Sequence, residues 1–230
     1  MTVLPPADEH HIRPISKRNG ITLTVLGSSA LLAGLLMFIF AKSLFAMALI
    51  LFSLGIIGTI LGVYKLKEPE VSIKLSADVL GFYHRRGQYQ LEWSNIQRVD
   101  ILRVHQDMQL SELPYVGIKL KHLPPLLDSI SPRLATGLLT EQRPLLMSAA
   151  IQDEDLQSLE HYMNIEFSPL SVDEYQYKGV LAMFGHRCET LNSILGYHVY
   201  IPIDMLDCLP EEFIALVRQW QQTQLTEPVS

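Results

Sequence analysis

The sequence predicts an α+β protein, a two-helix transmembrane hairpin followed by a cytoplasmic domain with an antiparallel sheet and C-terminal helices. Three observations carry that prediction. Residues 21–40 and 44–64 contain no charged side chain. Short stretches between residues 71 and 121 alternate apolar and polar, the pattern of strands with one buried face. From residue 131 onward, capping signals precede apolar stripes at helical spacing.

The first twenty residues lack periodicity and read as a mobile tail, 1–20. The stretch Asp8, Glu9, His10, His11 offers metal-ligand types, but a tail cannot preorganise them. The spans follow at 21–40 and 44–64. At about 1.5 Å per residue each reaches across the roughly 30 Å hydrocarbon core of a bilayer, and a helix satisfies its own backbone there. Only Ala41, Lys42 and Ser43 separate them, so the pair forms a tight antiparallel hairpin. Arg13, Lys17 and Arg18 precede it, Lys65 and Lys67 follow it, and Lys42 alone sits in the loop. By the positive-inside rule both termini are expected in the cytoplasm.

Small residues mark one face of each span: Gly27, Ala30 and Gly34 on the first, Gly55, Gly58 and Gly62 on the second. Such faces let helix backbones approach closely in lipid. They are expected to pack the two spans together, with a homo-oligomer formed through the hairpin as the other use. No acidic residue, Arg or His lies inside either span. The hairpin therefore reads as an anchor and not as a transport path.

Residues 68–122 read as the sheet: strands at 71–76, 82–84, 89–93, 96–105 and 115–121. Residues 82–84 and 89–93 flank a basic turn, with Arg85 and Arg86 at its tip. Residues 123–225 read as an α/β part packed on that sheet. Ser131 and Pro132 start a helix running to about Gln142. Residues 144–148 read as a short strand, followed by a helix opened by Asp153. Ser171 and Glu174 form a capping box opening a helix bent near Gly185. Residues 197–203 read as a strand. A final helix starts at Pro210 and carries Phe213, Leu216, Val217 and Trp220 on one face. The unit of strand, acidic turn and helix thus occurs twice, at 144–164 and 197–222.

Gly81, Phe82, Tyr83, Trp93 and Ile96, in ADVLGFYHRRGQYQLEWSNIQRVDI, resemble the core signature of bacterial PH-like domains. In those domains the Trp and Ile are packing residues at a strand junction. The whole chain is similar to an uncharacterised family of bacterial inner-membrane proteins with two short-looped spans and a cytoplasmic module. The resemblance implies a multi-pass protein of the bacterial inner membrane and supplies no catalytic residues.

Charge divides the chain. Residues 1–67 hold six Lys and Arg against two acids, and residues 68–230 hold twelve against twenty-two. Within the second part, residues 71–122 carry seven basic groups against five acidic, the remainder from 123 on five against fifteen. The sheet is the electropositive part of an acidic domain, so Arg85, Arg86, Lys119 and Lys121 are expected to face the membrane surface. Nucleic acid is not an expected partner, since the overall charge opposes it. Cys188 and Cys208 are expected to be reduced thiols.

His186 and Cys188 stand two apart, and on a helix such positions point away from each other. No P-loop, dinucleotide fingerprint, HExxH or paired CxxC motif occurs. No catalytic residue, metal ligand or cofactor is expected. The sequence predicts a membrane-anchored, non-enzymatic module whose cytoplasmic domain binds a protein partner or the membrane surface. One alternative is a membrane-bound enzyme with its site between the sheet and the C-terminal helices, around His186, Arg187 and residues 197–200. A second alternative is a structural subunit of a larger membrane complex.

Overall fold

The computed structural model describes residues 9–15, 19–40, 42–106, 109–152 and 168–226. The chain divides into two units, Pro14–Glu70 and a domain made of Met1–Arg13 together with Val71–Ser230. The first unit is a helical hairpin. Helix α1 is Gly20–Phe40 and helix α2 is Phe45–Leu66, joined through a short 3-10 turn at Lys42–Leu44. Both are long and apolar enough to cross a membrane. Their buried residues are small, Gly20, Gly27 and Gly34 on α1 and Ala48, Gly55 and Gly62 on α2. Val25, Leu32, Phe40, Ile50 and Ile60 are exposed, an outer surface suited to hydrocarbon. Thr24 and Thr59 donate their hydroxyls to the carbonyls of Gly20 and Gly55, at 2.8 and 2.7 Å, which satisfies them within the helix.

The domain begins before the hairpin and resumes after it. Strand β1, Glu9–Ile12, pairs antiparallel with β2, Ile73–Ser76, with Ile12 opposite Ile73. Residues 9–12, expected in a mobile tail, therefore form an edge strand. The cause is apolar burial, for Ile12 is 1% exposed. Lys74 on β2 pairs with Glu9 on β1 at 2.6 Å, a contact between the two strands. Strands β3, Val79–His84, and β4, Gly87–Glu92, complete a sheet in the order β1-β2-β3-β4.

A 3-10 turn at Trp93–Asn95 leads into the second sheet. Strand β5, Ile96–Gln106, pairs with β6, Gln109–Leu120, which pairs with β9, Val199–Pro202. Val116, Ile118 and Leu120 point into the core, whereas Lys119 is half-buried and Lys121 exposed. One apolar cluster joins the two sheets to the helices, through Leu75, Phe82, Leu91, Val99, Ile118, Ile201 and Phe213. Trp93 sits at the junction. Its indole N–H donates to the Ser76 carbonyl at 2.9 Å and its ring stacks on Trp220, centroids 6.3 Å apart.

The helices are α3 (Pro124–Ser129), α4 (Pro132–Glu141), α5 (Arg143–Gln152), α6 (Gly179–Leu195) and α7 (Pro210–Thr226), with a small hairpin β7 (Leu170–Val172) and β8 (Tyr175–Tyr177) before α6. Ser131 caps α4 by accepting the Leu134 N–H at 3.3 Å. Residues 144–148, expected as a strand, lie in α5. A short apolar run fits either structure, and here Leu145 and Leu146 bury neighbouring positions of a helix. This removes the first of the two strand-turn-helix units, and its helix from Asp153 lies outside the described residues. Ser171 and Glu174, expected to open a helix, instead belong to the β7–β8 hairpin. Asp173 takes a left-handed turn conformation there, with φ of 53°. Helix α6 runs unbroken through Gly185, where an added Cβ would stand 2.2 Å from a Leu170 methyl. That glycine is a packing notch and not a bend.

The C-terminal helix α7 lies along β5. Arg218 donates to the Val99 carbonyl at 3.0 Å, and the Gln221 amide donates to the Ile96 carbonyl at 2.6 Å. These two side chains occupy carbonyl groups that β6 leaves open.

Candidate functional site

The small residues of the hairpin meet one another. A Cβ on Gly27 would lie 2.4 Å from the Thr59 nitrogen, and one on Gly55 2.5 Å from that of Leu31. Gly34 stands against Phe52 and Gly62 against Thr24, and a Cβ on Gly58 would lie 3.3 Å from the Cα of Gly27. Ala30 is half-buried on the same face. The close approach is therefore made within the hairpin.

Arg85 and Arg86 form the turn between β3 and β4, and the turn is docked on α4. Glu141 stands 3.5 Å from Arg85, 4.0 Å from Arg86 and 3.7 Å from the buried ring of His84. A Cβ on Gly137 would meet the Arg86 side chain at 2.5 Å. Arg85 and Arg86 stand at the tip of the β3–β4 hairpin, as the sequence predicts, and the Arg86 side chain also covers the gap left in α4 by Gly137. Lys121 lies elsewhere and donates to the Ser94 carbonyl at 2.6 Å. Lys119 stands opposite Arg98 across β5 and β6.

His186, Arg187 and Cys188 lie on one helix, α6, and differ in exposure. His186 is half-buried and hydrogen-bonds Ser168 at 3.2 Å. Cys188 is buried, and burial pushes its thiol well above the usual range, so it stays protonated. Arg187 is buried on the same helix, and Asp204 is exposed beyond β9. Cys208 is half-buried with its thiol also raised by burial. His198 accepts the Leu120 N–H at 3.1 Å and is held at about 4 by burial and the Lys119 charge. Tyr200 is buried and donates to the Tyr197 carbonyl at 2.8 Å. Among the described residues no group of three His, Cys, Asp or Glu could hold a metal ion.

A cleft of about 470 Å³ opens between the outer side of β5, the end of α6 and α7. Gly196 ends α6 in a left-handed conformation, φ 84°, which glycine adopts without Cβ strain. The chain turns there, and Tyr197 lies flat on Gly117, whose Cβ would meet the ring at 2.6 Å. Three donors from three elements then converge on Asp100. Arg98 Nε lies 3.1 Å from its carboxylate, Arg218 Nη2 2.5 Å and the Tyr197 hydroxyl 3.1 Å. Arg98 also stacks over the Tyr197 ring, 4.8 Å from the centroid. Burial and the Asp100 charge raise the Tyr197 phenol, keeping it a donor. Arg103 and Glu211 complete the polar lining, and Ile101, Leu195, Ile214 and Ala215 the apolar part.

Sequence reasoning had placed Arg98 and Arg103 in the basic excess of the sheet, and Tyr197 in the stretch 197–200. It missed Asp100 and Arg218. The local signal was Arg98 and Asp100 two apart on a strand, which puts both on one face. Nothing local points to Arg218, whose place depends on how α7 lies along β5.

Comparison with curated proteins and with solved structures found no match. A family model does match, over residues 73–223, from the start of β2 into α7. The chain belongs to the family described as "Protein of unknown function (DUF2982)".

Proposed function

We propose that the chain is a membrane-anchored, non-enzymatic module of the bacterial inner membrane, whose cytoplasmic PH-like domain binds a protein partner. The observation that carries this reading is the place of the apolar hairpin. It is inserted between β1 and β2 of one domain, so both connections leave that domain at neighbouring positions, Ile12 and Ser72. An even number of spans inserted in this way returns the chain to the side it left. The basic residues flanking the hairpin, five outside against Lys42 in its loop, support a cytoplasmic side for the domain by the positive-inside rule. Support for a PH-like fold comes from a four-stranded and a three-stranded antiparallel sheet with a helix along the second, and from Trp93 and Ile96 buried at the junction.

The topology is tested with a periplasm-active reporter fused after Ser230 or inserted next to Lys42. Activity is expected only at Lys42; activity after Ser230 reverses the orientation. Crosslinking in intact membranes tests the binding role, with one stoichiometric protein partner as the expected result. A chain that crosslinks only to itself would refute it.

A further inference from the structure

The tripod around Asp100 is more than the pairing of one surface carboxylate requires. Arg98, Arg218 and Tyr197 come from β5, from α7 and from the turn after α6, so they reach one negative group from three directions. Asp100 takes one contact from each of them, whereas a tetrahedral oxyanion presents acceptors to further N–H groups of the two guanidiniums. Each guanidinium carries five N–H donors in a rigid fork that matches phosphate geometry. Asp100 engages Arg98 through Nε and Arg218 through one terminal nitrogen. The arginines are also reachable, with about half of the side chain exposed on Arg98, Arg103 and Arg218. Arg103 is the third cation of the cleft and pairs with Glu112 outside its lining, at 3.0 Å. Within the lining, three arginines face two carboxylates, Asp100 and Glu211, and Glu112 just outside it holds Arg103 through Nε and Nη2.

We infer that this cleft binds a phosphate-bearing anion, gripped by Arg98, Arg218 and Arg103 beside Tyr197, with Asp100 holding the arginines in place and competing with the ligand for them. The volume, about 470 Å³, is larger than phosphate alone. The apolar residues Ile101, Leu195 and Ile214 give a non-polar part of the ligand a surface to rest on. The inference concerns the domain by itself and holds whichever way the hairpin is oriented.

The test uses the full chain in a neutral detergent, titrated calorimetrically with inorganic pyrophosphate and, separately, with short-chain phosphatidylglycerol below its micellar concentration. Saturable binding of either supports the site; pyrophosphate alone points to a soluble ligand, the lipid alone to a headgroup. Asp100→Asn keeps an acceptor for Tyr197 and removes the competing charge, so it should tighten binding by about tenfold. That gain cannot come from unfolding. Arg98→Ala with Arg103→Ala should abolish binding, with thermal unfolding as the control for the fold. Should the double variant unfold, Arg103→Ala alone is expected to weaken binding. Undiminished binding in the folded arginine variants, or no binding by wild type and Asp100→Asn alike, overturns the inference.

Discussion

The backbone N–H of Ser72 donates to the carbonyl of Ile12 at 2.9 Å, and its hydroxyl reaches the Met205 carbonyl at 2.5 Å. One residue thus ties the strand made before the hairpin to the turn after β9. Arg13 adds a backbone hydrogen bond to Asp207 at 3.1 Å. Joining Arg13 to Val71 through a short flexible linker should give a folded, water-soluble domain. A fragment starting at Val71 loses β1 and the burial of Ile12. It should be about 3 kcal/mol less stable than the linked domain in urea unfolding. Equal midpoints for the two would mean that β1 contributes nothing.

Within the hairpin, backbone contact at Gly27 leaves no space for a side chain. Gly27→Leu should therefore push the helices apart. Spin labels on the exposed positions Val25 and Ile60 read this directly in detergent. A longer, broader distance distribution is expected, and an unchanged one would show that the spans pack elsewhere.

Trp93 and the arginine turn should differ in cost. Trp93→Ala removes a ring that is 3% exposed and stacked on Trp220, with an expected loss of about 4 kcal/mol. From sequence alone, replacing Arg85 and Arg86 by Ala should leave the fold intact. With Arg86 packed on Gly137 and both arginines near Glu141, the double variant should stay folded but lose about 1 kcal/mol. Chemical denaturation ranks the two, and a reversed order would contradict the packing.

Acid should weaken the domain through His198. Its folded value is about 4 against 6.5 ordinarily, because burial and Lys119 oppose the imidazolium. Between those values the unfolded chain binds more protons, so protonation favours unfolding. The stabilisation is complete above 6.5 and is lost as pH falls toward 4. His84, lowered chiefly by burial, acts in the same direction. His198→Gln, which retains an acceptor for Leu120 N–H, should give a shallower decline of melting temperature between pH 6.5 and 4. A wild-type melting temperature that rises on acidification would have the wrong sign.

Thiol labelling separates the cysteines. Cys208 is half-buried and should react with a maleimide in the native protein, while Cys188 should react only when the domain unfolds. Rapid native labelling of Cys188 would place it in an open site.

The parts legible in the sequence are those that local chemistry determines. Two uncharged runs can only be apolar helices, Ser131 and Pro132 cap a helix wherever they are exposed to its first turn, and the alternation at residues 115–121 shows which face of β6 is buried. The errors came where distant contacts decide. Residues 9–12 become a strand because β2 lies beside them, after an insert that no local rule foresees. Residues 144–148 fit strand or helix, and the turn at Asp173 overrides a capping signal formed by Ser171 and Glu174. The cleft follows the same rule, since Asp100 gains its partners only when Tyr197 and α7 arrive from ninety-seven and one hundred and eighteen residues away.

The reach of Arg218 and Gln221 to the carbonyls of Val99 and Ile96 has a consequence for crowding. An uncovered strand edge invites the same edge of a neighbouring molecule. Helix α7 makes that encounter unproductive over the first half of β5, because its side chains already take the hydrogen bonds a second copy would seek. Replacing Arg218 and Gln221 by Ala would free those two carbonyls for a neighbouring copy, while Phe213, Val217 and Trp220 keep α7 in the core.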